Sequence, residues 1–75
     1  MKRIEIILDT LKKMMSEYKQ GVSAIQIAEA LDLNRANVSN DLNKLVVEGR
    51  AIKIKGKPTL FRYEEKENVN AGKSN

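Results

Sequence analysis

Apolar residues recur at three- and four-residue steps from the start of the chain, which is the spacing of one face of an α-helix. We predict a first helix over residues 2 to about 19. Ile6 lies off the apolar face, and we expect it to be a solitary exposed side chain rather than a dimer contact. The residues expected on the buried face are Ile4, Ile7, Leu8, Leu11, Met14, Met15 and Tyr18.

A second helix is predicted from residue 24 to about 31. Ser23 followed three residues later by Gln26 matches a capping box, in which each side chain binds the backbone amide of the other residue. Two alanines on the apolar face favour the close approach of another helix. The residues expected to be buried are Ala24, Ile27, Ala28 and Leu31.

A third helix is predicted between Asn34 and Gly49. The Asn34 side chain can accept the free amides of a first turn, and Gly49 can take the left-handed conformation that ends a helix. Val38, Leu42 and Leu45 form its apolar face. The opposite face is rich in amides and hydroxyls, which are poorer helix formers than Glu or Lys, so we expect it to do more than meet solvent. This polar face contains Arg35, Asn37, Ser39, Asn40, Asn43 and Lys44.

The second and third helices are separated only by residues 32–34, as in a helix-turn-helix. In that arrangement the second helix of the pair protrudes far enough to enter the major groove of DNA. Asp32 stands where glycine is common, and aspartate tolerates turn conformations well.

After Gly49 the pattern changes to the alternation of β-strands. We predict strands over 51–55 and 59–63, joined at a tip of residues 55–58. Ile52 and Ile54, with Phe61 or Tyr63 or both, are expected to face the core, and Val22 is a candidate for a short third strand. The predicted fold is therefore α+β, a winged helix-turn-helix of three helices and a two-stranded hairpin.

Composition limits the chemistry that this chain can perform. The 75 residues suit one small domain and include no cysteine and no histidine. We therefore expect no catalytic residues, no metal site, no cofactor and no enzymatic activity. The cations are clustered, with no acid between Arg50 and Arg62 and three acids from Glu64 to Glu67. A local cationic block of this kind indicates an anionic partner.

The start of the chain does not resemble a signal peptide. The first apolar run is short and interrupted by acids, unlike a signal peptide, and no segment is long enough to span a membrane. We expect a cytoplasmic protein. The domain should cover residues 1–64, and residues 65–75 should be a disordered tail or a truncated linker.

Three segments, 23–31, 37–46 and 48–53, resemble bacterial winged helix-turn-helix transcription regulators. More narrowly, residues 35–45 with Lys55-Gly56-Lys57-Pro58 resemble the N-terminal DNA-binding domain of sigma-54-dependent activators of the levanase-operon-regulator type. The resemblance implies that residues 35–48 are a recognition helix, with Ser39 and Asn40 facing the groove, and that 55–58 are the wing tip. It also implies a longer, oligomerising regulator with an ATPase module.

The favoured function is sequence-specific binding of double-stranded DNA. Base edges and nearby phosphates would be contacted by Arg35, Asn37, Ser39, Asn40 and Asn43. Phosphates or the adjacent minor groove would be contacted by Lys44, Arg50, Lys53, Lys55, Lys57 and Arg62. The main alternative is a winged-helix module that binds an acidic protein, and RNA binding is a weaker one. The lysines of the first strand also have a purely structural interpretation, the protection of a strand edge from aggregation.

Overall fold

The computed structural model describes residues 2–64 as three helices followed by an antiparallel β-hairpin. The elements are α1 (Arg3–Met14), α2 (Ala24–Leu31), α3 (Arg35–Val47), β1 (Ala51–Ile54) and β2 (Leu60–Tyr63). This order confirms the predicted α+β winged-helix layout. The tail predicted at 65–75 lies outside the described residues.

Helix α1 ends about one turn earlier than predicted. After Met14 the chain tightens into turns in which the amide of Ser16 bonds the carbonyl of Lys13 and the amide of Glu17 bonds that of Met14. The Ser16 hydroxyl also donates to the Lys13 carbonyl and so competes with the helical pattern. Tyr18 consequently leaves the buried face and is exposed, which corrects its predicted burial.

The first turns of α2 and α3 are capped as predicted. Ser23 Oγ accepts from the Gln26 amide at 3.2 Å, and Gln26 Oε1 accepts from the Ser23 amide at 2.9 Å. Asn34 Oδ1 accepts from the amides of Ala36 and Asn37 at 2.8 and 3.3 Å. These bonds satisfy amides that a helix start leaves without partners.

The same motif ends both α2 and α3. Asp32 has φ 56°, and the amide after it bonds the carbonyl of Ala28. Gly49 has φ 79°, and the amide after it bonds the carbonyl of Leu45. A left-handed residue followed by this long backward bond is the Schellman motif. Asp32 is therefore the left-handed residue that ends α2 in the helix-turn-helix, as Gly49 is the one that ends α3 before the hairpin.

One hydrophobic core joins the helices to the hairpin. Each helix contributes its apolar face, and Phe61 seals the core from the sheet side. Val22 pairs with Phe61 through two backbone hydrogen bonds of 2.9 and 2.8 Å, so the predicted third strand exists as a single bridge. The buried apolar residues are Ile7, Leu8, Leu11, Val22, Ile27, Ala28, Val38, Leu42, Leu45, Ala51 and Phe61.

Strand β1 packs on the helices through the face opposite to the one predicted, whereas Phe61 of β2 faces the core as predicted. Ala51 is 4% exposed, whereas Ile52 and Ile54 are 43% and 38% exposed. Lys53 pairs with the buried Phe61 and so lies on the inward face. Because side chains alternate strictly along a strand, a first inward residue at Ala51 turns Ile52 and Ile54 outward. The small Ala51 fits where the chain leaves α3, and the prediction for the two isoleucines was wrong.

Candidate nucleic-acid interface

Helix α3 has a side that faces the core, an opposite side that is exposed, and two flanks between them. Val38, Leu42 and Leu45 are fully buried and define the core side. At about 3.6 residues per turn, the positions directly opposite are Ala36, Asn40 and Val47, which are all exposed. We call these three residues the α3 ridge. The predicted polar residues lie on the ridge or on its flanks.

The hairpin stands beside one flank of α3. Lys53 Nζ donates to Asn43 Oδ1 at 3.2 Å, which joins β1 to the helix. Arg35 and Ser39 line an open groove together with Lys53 and Thr59. The amide-rich side of α3 and the part of the hairpin next to its tip therefore lie on the same side of the molecule.

The phase of β1 creates this juxtaposition. After the Schellman turn at Gly49, the side chain of Ala51 points to the helices. Lys53, two residues later, lies on the same face of β1. There its ammonium group reaches α3 instead of projecting from the outer face of the hairpin. The sequence pattern identified Lys53 as a candidate cation but placed it on the wrong face.

Two further lysines occupy the tip of the hairpin. Lys55 and Lys57 are exposed on either side of Gly56. The Thr59 hydroxyl donates to the Gly56 carbonyl at 3.3 Å, and the Lys57–Pro58 peptide bond is cis. The tip therefore presents two exposed cations next to the part of the hairpin that contacts α3.

Arg50 and Arg62 are placed differently from the other predicted cations. Arg50 makes a two-pronged contact with Glu5 of α1, at 3.1 and 3.4 Å. These hydrogen bonds, with the charge of the guanidinium, lower the pKa of Glu5. Arg62 Nη1 donates to the Lys19 carbonyl at 2.9 Å, and Arg62 pairs with Ile52 on the outer face of the hairpin. Neither guanidinium joins the surface formed by α3 and Lys53.

The acid within α3 is turned away from this surface. Asp41 is 3% exposed and accepts from Arg3 Nε at 2.7 Å and from Arg3 Nη2 at 3.3 Å. Other acids flank the ends of α3. Glu29 and Asp32 line a shallow depression with Arg35, and Glu48 lines another beside Lys44 and Val47.

Sequence reasoning missed two of the three ridge residues. Ala36 and Val47 are apolar and were not assigned to the polar face, although Val47 is 87% exposed. The signal was present in the helical period, since both positions lie opposite Val38 and Leu45. Asn40 was the only ridge residue assigned to DNA contact.

The remaining observations concern other classes of site. Within residues 2–64 no three metal-ligating side chains lie together, and no helix has the length and apolar content to cross a bilayer. Comparison with known proteins gives no match, whether to family models, to curated protein sequences or to solved structures.

Proposed function

We propose that this domain binds double-stranded DNA, with α3 in the major groove and the hairpin on the adjacent backbone. The observation that carries the proposal is the hydrogen bond from Lys53 to Asn43, because it unites the polar side of α3 and the lysine-bearing hairpin in one surface. Amides at the centre and cations at the rim match the two tasks of DNA recognition, which are reading base edges and holding phosphates.

The residues divide between these tasks by position. Asn40 and Asn43 project from α3 towards base edges, with Asn37 and Ser39 on the flanks. The exposed cations of the same surface hold phosphates or the edge of the minor groove, and they are Arg35, Lys44, Lys53, Lys55 and Lys57. We assign a structural role to Arg50 and Arg62. The Arg50 guanidinium binds Glu5, and the Arg62 guanidinium donates to the Lys19 carbonyl.

A salt titration tests the proposal. Fluorescence anisotropy would follow binding to a labelled duplex of arbitrary sequence between about 50 and 200 mM salt. About five phosphate contacts predict that log affinity falls with log salt at a slope of roughly −4.5. Binding that is absent at low salt, or that does not weaken as salt rises, contradicts the proposal.

Competition separates DNA from an acidic protein as the partner. An acidic protein would use the cationic rim and leave the amides of α3 without a role. Polyglutamate at matched charge should therefore displace the labelled duplex poorly, whereas unlabelled duplex should displace the labelled duplex fully. Equal displacement by both polymers would favour the acidic-protein function.

The wider role is part of the same proposal. The sequence resemblance implies a bacterial transcription regulator, which would act in the cytoplasm where its DNA lies. Useful specificity would then require two copies of the domain, because one recognition helix contacts few base pairs.

A further inference from the structure

The part of α3 that projects furthest carries no charge. Ala36, Asn40 and Val47 lie opposite the core side, and a methyl group, an amide and an isopropyl group follow one another along the helix. A single exposed valine needs no explanation by itself. Val47, however, is aligned with Asn40 on the side of α3 proposed to enter DNA. Its isopropyl group would therefore lie against the edge of a base pair.

We infer that the α3 ridge selects A·T base pairs, an inference that rests on the proposed DNA-binding function. The major-groove edge of adenine offers an acceptor at N7 and a donor at N6, and an asparagine amide matches both. Thymine offers its C5 methyl group, which favours apolar contact. Asn40 would pair with adenine, while Ala36 and Val47 would pack against thymine methyl groups.

The charged residues of α3 that would favour G·C pairs lie at positions off the ridge. Arginine and lysine match the two acceptors of guanine, and carboxylates match the amino group of cytosine. Arg35 lines the groove beside the hairpin and the depression beside α2, and Lys44 lies on the opposite flank of α3. Asp41 is buried against Arg3. The ridge therefore lacks both of the side-chain types that read G·C pairs.

The first test is a selection of bound duplexes from a random library, at a salt concentration where binding to arbitrary sequence is weak. We expect enrichment of A·T pairs at the centre of the selected site. Enrichment of G·C pairs, or no enrichment, overturns the inference, while salt-dependent binding would still support the proposed function. Absence of any DNA binding would remove both.

Inosine substitution then identifies the groove that is read. An inosine·cytosine pair resembles G·C in the major groove but lacks the guanine amino group of the minor groove. If the ridge reads the site, replacing a central A·T pair with inosine·cytosine should weaken binding by roughly tenfold. If only the hairpin reads a narrow minor groove, the replacement should leave affinity unchanged, and this result overturns the inference.

Variants connect the preference to individual residues. Asn40→Ala should remove most of the discrimination between A·T and inosine·cytosine at one position. Val47→Ala should remove the sensitivity to replacement of one thymine by deoxyuridine, which lacks the methyl group. Lys55→Ala is the matched control, because it should weaken binding to all these duplexes while leaving their ratios unchanged. Unaltered ratios in both ridge variants would overturn the inference.

Discussion

Lys53 and Asn43 are joined by a hydrogen bond of 3.2 Å between the ammonium group and the side-chain carbonyl oxygen. Since lysine offers no acceptor, this contact fixes which end of the Asn43 amide faces β1. The amide nitrogen is left as a donor, and we expect it to face DNA. This contact thus fixes the position of the Lys53 ammonium group and leaves Asn43 to act as a hydrogen-bond donor.

We predict that Asn43 and Lys53 contribute to duplex binding non-additively. Asn43→Ala releases the Lys53 ammonium, and Lys53→Ala frees the Asn43 amide to rotate, so each single change disturbs both contacts with DNA. A double-mutant cycle measured by anisotropy should give a coupling free energy of about 0.5 kcal/mol. Strictly additive effects would show that the hydrogen bond does not organise the surface.

The hairpin tip should supply affinity without sequence preference. Lys55→Ala combined with Lys57→Ala should weaken binding to every duplex alike and reduce the salt slope by about 2, because two phosphate contacts are lost. The charge-matched control is Lys12→Ala with Lys13→Ala on α1, where Lys13 pairs with Asp9 and Lys12 lies over the Tyr63 ring. Equal losses in both double variants would mean that only net charge matters.

The ion pair between Glu5 and Arg50 should make stability depend on pH. Because the folded pKa of Glu5 is lowered, its contribution is complete above the ordinary glutamate pKa of about 4.3 and is lost as pH falls through the folded value. Glu5→Gln should therefore lower Tm at pH 7, and the difference from the unmodified protein should shrink at pH 3. Glu17→Gln, at an exposed position after α1, is the control and should show no such convergence.

The sequence predicted features governed by local chemistry and missed those set by the junctions between elements. The sequence predicted helix starts at Ser23 and Asn34 and a helix end at Gly49. The structure confirms all three. The inward face of β1 could not be deduced in the same way. Its alternation of Ile and Lys favours burial of the isoleucines, but the turn geometry at Gly49 selects the phase that buries Ala51.

Candidate site residues were predictable to a similar extent. The polar side of α3 follows directly from the helical period, but Arg50 looked no different from Lys53 as a cation in the sequence. Only the folded chain brings Glu5 of α1 to Arg50, across a separation of 45 positions. A contact so distant in sequence leaves no local trace in the pattern of residues.

Gly49 should be intolerant of a side chain. Its φ of 79° places it in the left-handed region, which costs a residue with a Cβ about 1 kcal/mol or more. Gly49→Ala should therefore lower the free energy of unfolding by that amount in a urea titration. Asp32→Gly relieves the same strain at the end of α2 and should change stability in the opposite direction, by less. Unchanged stability of Gly49→Ala would mean that this turn does not need a left-handed residue.

The burial of Asp41 should depend on its ion pair with Arg3. The Asp41 side chain is 5% exposed, whereas that of Arg3 is 48% exposed. Removing Arg3 leaves a buried carboxylate without its partner, while removing Asp41 leaves a guanidinium that water can still reach. Arg3→Met should lower Tm by roughly 5–10 °C, and the double variant Arg3→Met with Asp41→Leu should regain most of that loss.

Lys2→Met is the matched control, since it removes the same charge from the neighbouring exposed position. Thermal unfolding followed by circular dichroism at pH 7 would rank the variants. If Arg3→Met and Lys2→Met cost the same, Asp41 does not depend on Arg3 for its burial. If they differ as expected, Arg3 is what allows α3 to carry an acid while keeping that charge away from the surface proposed to meet DNA.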